Sequence, residues 1–344
     1  MRAARAGEVQ TVTGPVAPGA LGLTLMHEHI LCDVTPPDLA AQGLPRVEVT
    51  LRNVHEIRYR WTRHYGNHIL DDIEAMTDEV ALFGAAGGGT VVELTTAGMK
   101  PDPAGLAEIS RRSGVKVVAG TGFYVESFAA SELDGRDEDA LAAIMVAHVR
   151  DGFGGTGVRA GIIGEIGVSD PWSAAEQRAL RAAVVAQRET GCAINVHPGR
   201  DPGSPLAIAR FVRDAGGDVE RLIISHMDRT LFRLEDVLPV VAEGCVVEWD
   251  FFGIESAYYP FAPIDMPNDA TRLDLVRGLL DRGHGPQVAI SQDICTMTRL
   301  ARWGGHGYAH MIDAVVPMMR RKGFSESEIG LLLVETPRRL LALV

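Results

Sequence analysis

Eight short apolar runs, separated by longer segments of helical character, constrain the fold of this 344-residue chain more than any other feature. Most of the runs are continuously apolar, which is typical of parallel strands buried on both faces of a sheet. A helix between successive strands makes the repeating βα unit. The runs are Leu23–Ile30, Thr90–Leu94, Val115–Gly120, Ala160–Glu165, Cys192–His197, Arg221–His226, Cys245–Trp249 and Gln287–Asp293. The pattern predicts an α/β protein with one barrel domain over residues 1–344, since such barrels need about 250 residues.

Local signals mark helix starts and one long insertion. Residues 173–176 and 325–328 both read Ser-x-x-Glu, which predicts a capping box ahead of a helix in each case. Thr336 followed by proline predicts the N-cap of a final helix through Leu343. The insertion covers residues 33–72, and its run Arg58-Tyr59-Arg60-Trp61 suggests a helix. A solvated helix face is one interpretation of that run, and a lid or an interface is the other.

Composition excludes several classes of function. The net charge of −12 and the pI near 5.4 argue against nucleic acid as a partner. No apolar stretch approaches the length of a membrane span, and residues 1–10 lack the apolar core of a signal peptide. The cysteines show no CxxC spacing and are expected to be small buried hydrophobes in a reducing, cytoplasmic compartment. They are Cys32, Cys192, Cys245 and Cys295.

Metal-compatible side chains stand at the ends of five predicted strands. In an extended segment residues i and i+2 point the same way, so His27 and His29 can reach one metal ion while Glu28 faces elsewhere. The carboxyl ends of barrel strands converge on one face of the molecule. The candidate ligands are His27, His29, Glu165, His197, His226 and Asp293.

This mixture of imidazoles and carboxylates suits zinc or another first-row divalent ion, with manganese, cobalt and nickel as alternatives. Glu165 is the natural bridge between two ions, one bound by the residues of strands one and eight and the other by the histidines of strands five and six. A two-metal site lowers the pKa of a bridging water and polarises the scissile bond. Asp293 would bind one metal and also take the proton from the attacking water, as the catalytic residue.

Each candidate ligand also has a structural interpretation. A strand-end histidine can simply bond to the backbone, Glu165 can form a salt bridge at the barrel mouth, and Asp293 can cap a helical turn. The joint occurrence of six such residues at strand ends favours the metal site.

The order of motifs resembles that of the phosphotriesterase family in the amidohydrolase superfamily, and more narrowly of the phosphotriesterase-related, or resiniferatoxin-binding-like, proteins. The motifs are His-x-His at 27–29, Gly-Glu-Ile-Gly at 164–167, Asn-Val-His-Pro-Gly-Arg at 195–200, Ser-His-Met-Asp-Arg-Thr at 225–230 and Ser-Gln-Asp at 291–293. The resemblance runs from Val12 to Pro337. It implies a (β/α)8 TIM barrel, a binuclear zinc-type centre, hydrolysis, and a homodimer, since dimers are common among relatives.

One departure from the family matters for function. In the organophosphate-hydrolysing and lactonase branches the bridging ligand is a carboxylated lysine, whereas the matching position here is Glu165. Glutamate supplies a carboxylate without a carbon dioxide adduct. The resemblance therefore points away from triesters and toward carboxylic esters or amides.

Two arginines are candidate substrate-binding residues. Arg200 and Arg229 each lie three residues beyond a candidate histidine ligand. An arginine beside a metal site must contact a carboxylate or an anionic ligand to offset the repulsion. Either each pairs with a protein acid such as Asp201 or Asp228, or both bind an anionic substrate.

Four further residues are predicted near the same mouth. Tyr124 occupies a position where relatives place a substrate-contacting aromatic ring, and His306, in a glycine-rich loop, either contacts substrate or shapes the loop. Glu248 and Asp250 bracket the end of strand seven and are expected to be structural, holding an arginine.

The leading hypothesis is a metal-dependent hydrolase of a small ester or amide, acting through a metal-bridging hydroxide. An N-acylated amino acid or aminosulfonate fits both the metals and the arginines. The alternatives are a lactonase with promiscuous phosphotriesterase activity and a non-catalytic ligand-binding protein.

Overall fold

An eight-stranded parallel sheet forms the centre of the molecule, in a computed structural model that describes residues 3–59, 64–256, 258–259 and 261–344. The strands, in chain order, are β1 (Val9–Thr11), β2 (Gly14–Val16), β3 (Leu23–Glu28), β4 (Cys32–Asp33), β5 (Ile69–Leu70), β6 (Gly88–Glu93), β7 (Lys116–Thr121), β8 (Ala160–Gly167), β9 (Ile194–His197), β10 (Leu222–Ile224), β11 (Val246–Trp249) and β12 (Val288–Ile290). The sheet runs β3-β6-β7-β8-β9-β10-β11-β12, whereas β1–β2 and β4–β5 are separate antiparallel pairs. The predicted fold, a single-domain α/β TIM barrel, is confirmed; its extent over residues 1–344 stays a prediction.

Helices lie between the strands of the central sheet and after its last strand. They are α1 (Pro37–Ala40), α2 (Val54–Tyr59), α3 (Ile73–Ala85), α4 (Pro103–Ser113), α5 (Glu126–Leu133), α6 (Glu138–Arg150), α7 (Ala174–Thr190), α8 (Ser204–Asp214), α9 (Leu234–Val241), α10 (Asp269–Leu280), α11 (Val316–Arg321), α12 (Glu326–Gly330) and α13 (Thr336–Leu341). In the part of the chain that the structure describes, no helix combines the length and the apolar character needed to cross a membrane.

The strands are continuously apolar because both of their faces are buried. Val117 packs in the cluster that includes residues of the surrounding helices. Its neighbour Val118 packs in a second cluster, which consists mainly of strand residues and also contains Leu340 and Leu341 of α13. Every residue of β8 is buried. This alternation between two apolar environments is what a barrel with helices outside and side chains inside requires.

Hydrogen bonds just beyond the paired strands close the sheet between β3 and β12. The Asp293 amide donates to the His27 carbonyl at 3.0 Å, and the His29 amide donates to the Ile294 carbonyl at 3.2 Å. The closure of the barrel therefore joins the segment that carries His27 and His29 directly to the segment that carries Asp293.

The predicted helix starts are confirmed in two cases and wrong in one. Ser173 and Ser325 both form complete capping boxes. Thr336 is not an N-cap, because its backbone angles are helical and it follows a wide helical turn over Leu331–Glu335. Leucines on both sides of Thr336 are buried, and their packing favours a helix that continues through it. That helix ends at Leu341.

The insertion over residues 33–72 lies beside the loops that follow β11 and β12. The Arg58 guanidinium donates to the Thr298 carbonyl at 3.3 Å, and the Tyr59 ring stacks on Tyr258 with centroids 6.2 Å apart. Arg60 and Trp61, which complete the aromatic-basic run, lie outside the described residues. The described part of α2 thus contacts the barrel mouth, although Tyr59 keeps 46% of its surface exposed.

We expect Arg221→Met to lower the free energy of unfolding by about 2–3 kcal/mol, because this buried guanidinium bonds to backbone carbonyls that would be left unpaired. The carbonyls belong to Gly191, Arg339, Leu340 and Ala342. Urea unfolding measures the loss. Arg338→Met, which removes an ion pair between partly exposed side chains, is the control and should change stability by less than about 1 kcal/mol. Equal effects of the two variants would contradict this account of the C-terminal segment.

Candidate metal centre

The six predicted ligands converge at the carboxyl end of the barrel, with Glu165 between them. Its Oε1 lies 2.6 Å from His197 Nδ1, 2.9 Å from His226 Nε2 and 3.7 Å from His27 Nε2. On the other side, Asp293 Oδ1 lies 3.3 Å from His29 Nε2 and 3.8 Å from His27 Nε2. All six side chains are buried.

Two groups of these atoms have the spacing of a metal site, and they share one carboxylate. His27, His29 and Glu165 form the first group, and Glu165, His197 and His226 form the second. This is the arrangement expected if Glu165 faces two neighbouring ions. Asp293 belongs to neither group, although it lies beside His27 and His29. That these six residues bind metal ions stays a prediction.

His27 supplies a test of whether a cation fits here. Its Nε2 is buried and, within the described part of the chain, has no hydrogen-bond partner. The carboxylate oxygens of Glu165 and Asp293 face it at 3.7 and 3.8 Å, beyond hydrogen-bond distance. A buried nitrogen without a partner is destabilising, whereas a metal ion would satisfy it together with both carboxylates. The donor set therefore fits a metal ion.

Unusual backbone conformations bring three ligands to this point. His226 and Asp293 have φ angles of 58° and 47°, in the left-handed region that few non-glycine residues adopt. Each lies past the end of its strand, and its left-handed conformation directs the side chain toward the barrel mouth. Gly164, before Glu165, has φ of 124°, and a Cβ there would lie 2.3 Å from the Asn195 carbonyl.

Two carboxylates that the sequence analysis placed beside an arginine in fact contact histidines. Asp250 accepts from the His226 amide at 2.9 Å and lies 2.8 Å from His226 Nδ1 and 3.3 Å from His27 Nδ1. Glu248 Oε2 lies 3.4 Å from His27 Nδ1. These Nδ1 atoms face away from Glu165, so the carboxylates orient the rings in the way that partners of metal-bound histidines do.

The i, i+2 spacing of Glu248 and Asp250 at a strand end is the same signal that identified His27 and His29, and it could have revealed this role. The buried arginine nearby is Arg272, and its partners are Asp228, at 2.5 Å, and Asp269, at 2.7 Å. Asp228 also accepts from the Asp250 amide at 2.8 Å.

His29 has an orienting partner of a different kind. Its Nδ1 lies 2.9 Å from the Thr95 hydroxyl, which in turn donates to Glu93 at 2.5 Å. Both partners are buried at the end of β6. The sequence did not predict this contact, because threonine is not among the residue types that indicate a metal site.

The cluster shifts the pKa values of its own members. Burial alone would raise the pKa of Glu165, but the neighbouring His197 and His226 imidazoles lower it well below its usual value. Burial also dominates at His197 and lowers its pKa to about 3. Burial alone would also raise the pKa of Asp293, but the hydrogen bond from His29 and the charge of His27 lower it. The carboxylates are therefore ionised and His197 is neutral, as metal binding requires. Burial opposes the protonation of His27 and His226, but Asp250 raises the pKa of both, so a metal ion would have to displace their protons.

A cavity of about 510 Å³ lies above this cluster, and three of the predicted substrate residues, Tyr124, Arg200 and Arg229, line it. Tyr124 Oη lies 3.4 Å from His197 Nδ1, and Arg229 Nη2 lies 3.0 Å from His197 Nε2 and donates to the Pro198 carbonyl at 2.9 Å. Arg200 donates to Tyr259 Oη at 3.1 Å and lies 5.0 Å from the Phe261 ring centroid. Arg229 is buried, whereas Arg200 is exposed at the cavity mouth.

The acids proposed as alternative partners of these arginines are engaged elsewhere. Asp201 accepts from the Gly203 amide, and Asp228 pairs with Arg272. Within the described residues, neither Arg200 nor Arg229 forms an ion pair with a carboxylate. The interpretation in which a protein acid neutralises each arginine is therefore not supported.

His306 is placed apart from the other predicted site residues. Its ring lies against Gly253 and lines a neighbouring cavity of about 480 Å³. The two cavities share the side chains of Phe251, Tyr259, Thr296 and Arg299. Arg299, which the sequence analysis did not select, donates to the Asp293 carbonyl and lies 3.8 Å from Asp293 Oδ2.

Comparison with known proteins finds relatives over nearly the whole chain. The model of the family described as "Phosphotriesterase family" matches residues 7–341. A protein named N-acetyltaurine hydrolase from Bos taurus is 38% identical over 97% of this chain and 98% of its own length. The resemblance inferred from the motifs is confirmed.

Solved structures agree with the family match. The crystal structure of a resiniferatoxin-binding protein from Rhodobacter sphaeroides has a TM-score of 0.92 at 32% identity, covering 98% of this chain and 96% of that one. The phosphotriesterase homology protein from Escherichia coli, solved with phosphate in its active site, has a TM-score of 0.79 at 26% identity, covering 94% and 99%.

We expect the purified protein to hold two divalent metal ions per chain, since two groups of buried ligands share Glu165. His27→Ala, His197→Ala and Asp293→Ala should each abolish hydrolysis and lower the metal content, as measured by elemental analysis. His284→Ala, which changes a histidine that bonds to Gln287 instead, is the control. Full activity in a preparation with only trace metal would refute the metal centre.

A further expectation concerns the bridging position. Because Glu165 already carries a carboxylate, activity should not respond to added bicarbonate after treatment with chelator and reloading with metal. Glu165→Lys should instead lose most of the bound metal unless bicarbonate restores a carboxylate on the new side chain. A wild-type protein that needs bicarbonate would contradict the assignment.

Proposed function

We propose that this chain, which belongs to the phosphotriesterase family and is a metal-dependent hydrolase, cleaves the amide bond of an N-acylated aminosulfonate or amino acid. N-acetyltaurine is the first substrate to test. The proposal rests above all on one observation, the buried Arg229 guanidinium at the floor of the cavity without a carboxylate partner among the described residues. Burial lowers the pKa of Arg229, but an arginine stays charged, so an anion is the partner that such a site favours.

The contact between Arg229 and His197 supports an anionic ligand further. His197 turns Nδ1 toward Glu165 and Nε2 toward Arg229. If His197 held a metal ion through Nδ1, its ring proton would lie on Nε2, which would donate and no longer accept. Arg229 Nη2 then needs another acceptor. A carboxylate or sulfonate oxygen entering the cavity supplies it through a charge-assisted hydrogen bond.

The rest of the cavity suits the two ends of such a substrate. Arg200, between the rings of Tyr259 and Phe261, is placed to contact an anionic group at the mouth. Val34, Met99 and Phe128 line another part of the wall and offer an apolar surface for a short acyl group. The amide would then lie between these two regions, above the ligand cluster.

The residues that would hold the metal ions are those of the two groups that share Glu165, with Asp293 beside the first. When bound, such ions polarise the scissile carbonyl and lower the pKa of water. Tyr124 stays a neutral phenol, because burial and the Glu165 charge raise its pKa, and it can donate a hydrogen bond to the substrate.

Asp293 is the residue placed to move the proton. Its ionised Oδ1 accepts a proton from the attacking water as the new carbon–oxygen bond forms. The same oxygen then delivers that proton to the amide nitrogen as the carbon–nitrogen bond breaks. A carboxylic acid and a free amine leave the site.

Similarity to named relatives supports the same substrate class. Several vertebrate proteins named N-acetyltaurine hydrolase are 34–38% identical over nearly their full length. The chain also resembles solved lactonases, at 23–28% identity. The presence of Glu165 at the bridging position favours the amide over the lactone or phosphotriester alternatives. Zinc as the metal, a cytoplasmic location and a homodimer are further parts of the proposal.

We expect Arg229→Met to raise KM for N-acetyltaurine and N-acetylated amino acids by about tenfold or more, because a charge-assisted contact of about 1.5–3 kcal/mol is lost. Hydrolysis of a neutral N-ethylacetamide analogue should change little. Arg200→Met, at the exposed mouth, should have a smaller effect. Steady-state kinetics on the matched pair of substrates measures both.

The control for this experiment is Arg233→Met, which alters an arginine paired with Glu235 on the surface. Equal losses on charged and neutral substrates in the Arg229 and Arg200 variants would mean that the arginines are structural. Turnover of lactones or neutral triesters in preference to all N-acyl substrates would overturn the amide assignment.

A further inference from the structure

Glu28 lies between the two histidines of the His-x-His motif, but its carboxylate faces the last strand of the barrel. The side chain is fully buried. Oε1 accepts from the Ser291 hydroxyl at 2.8 Å and from the Gln292 amide at 2.9 Å, and Oε2 accepts from the Ile294 amide at 2.9 Å. The three donors lie on both sides of Asp293 in sequence, so one carboxylate fixes the backbone before and after that residue.

The residue held in this way has an unfavourable backbone conformation. Asp293 has φ of 47°, in the left-handed region that is unfavourable for a residue with a side chain. Such a conformation persists only where the surroundings determine it. The Asp293 amide itself donates to the His27 carbonyl at 3.0 Å, and Glu28 supplies the neighbouring contacts. Without the Glu28 contacts, the segment would still be held by the two backbone bonds to β3 and its end and by Arg299 on the Asp293 carbonyl, but the residues on both sides of Asp293 would lose a restraint and its carboxylate could turn away from His29.

We propose that Glu28 is a positioning residue, which acts by holding Asp293 in the left-handed conformation that places its carboxylate 3.3 Å from His29 Nε2. This inference rests on the proposed function, in which Asp293 moves the proton and faces a metal ion. The alternative is that Glu28 only fastens the closure between β3 and β12, with no specific effect on Asp293.

Glu79 provides a matched control for the structural part of this role. It is also a buried glutamate, 2% exposed, and it accepts from the backbone amides of Ala301 at 3.0 Å and Arg302 at 2.7 Å. These amides belong to the same loop as Asp293 but lie at least eight residues further along the chain. Glu79 therefore reproduces the burial and the backbone contacts of Glu28 without the link to Asp293.

The experiment compares Glu28→Gln with Glu79→Gln in the full-length protein. In either variant an NH2 group faces a backbone donor, so both should lower the melting temperature. Only Glu28→Gln should lower kcat for N-acetyltaurine, by tenfold or more, with KM within threefold of the wild-type value. Calorimetric titration of the metal-free protein with Zn²⁺ should show one of two sites weakened at least tenfold in Glu28→Gln and neither in Glu79→Gln.

Two outcomes separate the possible failures. Wild-type kcat and wild-type zinc affinities in Glu28→Gln, with a lowered melting temperature, would overturn the positioning role. A wild-type protein inactive on all N-acyl substrates would instead overturn the proposed function, while the zinc titration still tests Glu28. If Glu28→Gln does not fold, Glu28→Asp keeps the carboxyl group but withdraws it from its three donors, and it should lower kcat and the same zinc affinity at least threefold. Wild-type values of both in Glu28→Asp would overturn the positioning role.

Discussion

The attraction between one buried carboxylate and the imidazoles around it is the interaction on which the site depends. Glu165 lies within 3.7 Å of histidines from β3, β9 and the turn after β10, so three separate parts of the barrel meet at a single group. A buried carboxylate is unfavourable unless positive charge or donors surround it. The requirement to neutralise Glu165, Asp293 and Asp250 in one apolar barrel therefore favours both the histidine-rich composition of the mouth and the binding of cations there.

A surplus of positive charge on one side of this cluster defines what else can enter. Arg229 lies on the outer side of His197, and Arg200 lies further out between aromatic rings. The acids that would neutralise these arginines locally are engaged with the backbone or with Arg272. An anionic substrate, as proposed, would complete this local charge balance even though the protein carries a net charge of −12.

The sequence identified the elements whose signal is periodic or chemical, and it missed those that depend on backbone turns. All eight strands were predicted because continuous apolar runs report burial on both faces. The ends of four strands, β3, β6, β10 and β12, were predicted one to three residues too late. After β10 and β12 the reason is that His226 and Asp293 are themselves left-handed, which no local sequence pattern indicates. The candidate ligands were predicted from the residue types at the ends of the strands. The spacing of Glu248 and Asp250 marked them as residues of the mouth, but their particular partners and the separation of His306 could not be predicted, because these depend on which side chains of distant segments meet.

The buried Asp228–Arg272–Asp269 arrangement links an outer helix to the centre of the barrel. Asp228 accepts from the Asp250 amide, Arg272 belongs to α10, and Asp269 accepts from the Gly253 amide and lies 2.7 Å from His310. The loop that forms one wall of the cavity is thereby attached to the same network that orients His226. Replacing the loop after β11 by the loop of a relative, in order to change the substrate range, would therefore require α10 to be replaced together with it. A change in that wall is therefore transmitted, through Asp269, Arg272 and Asp228, to the carboxylate that orients His226.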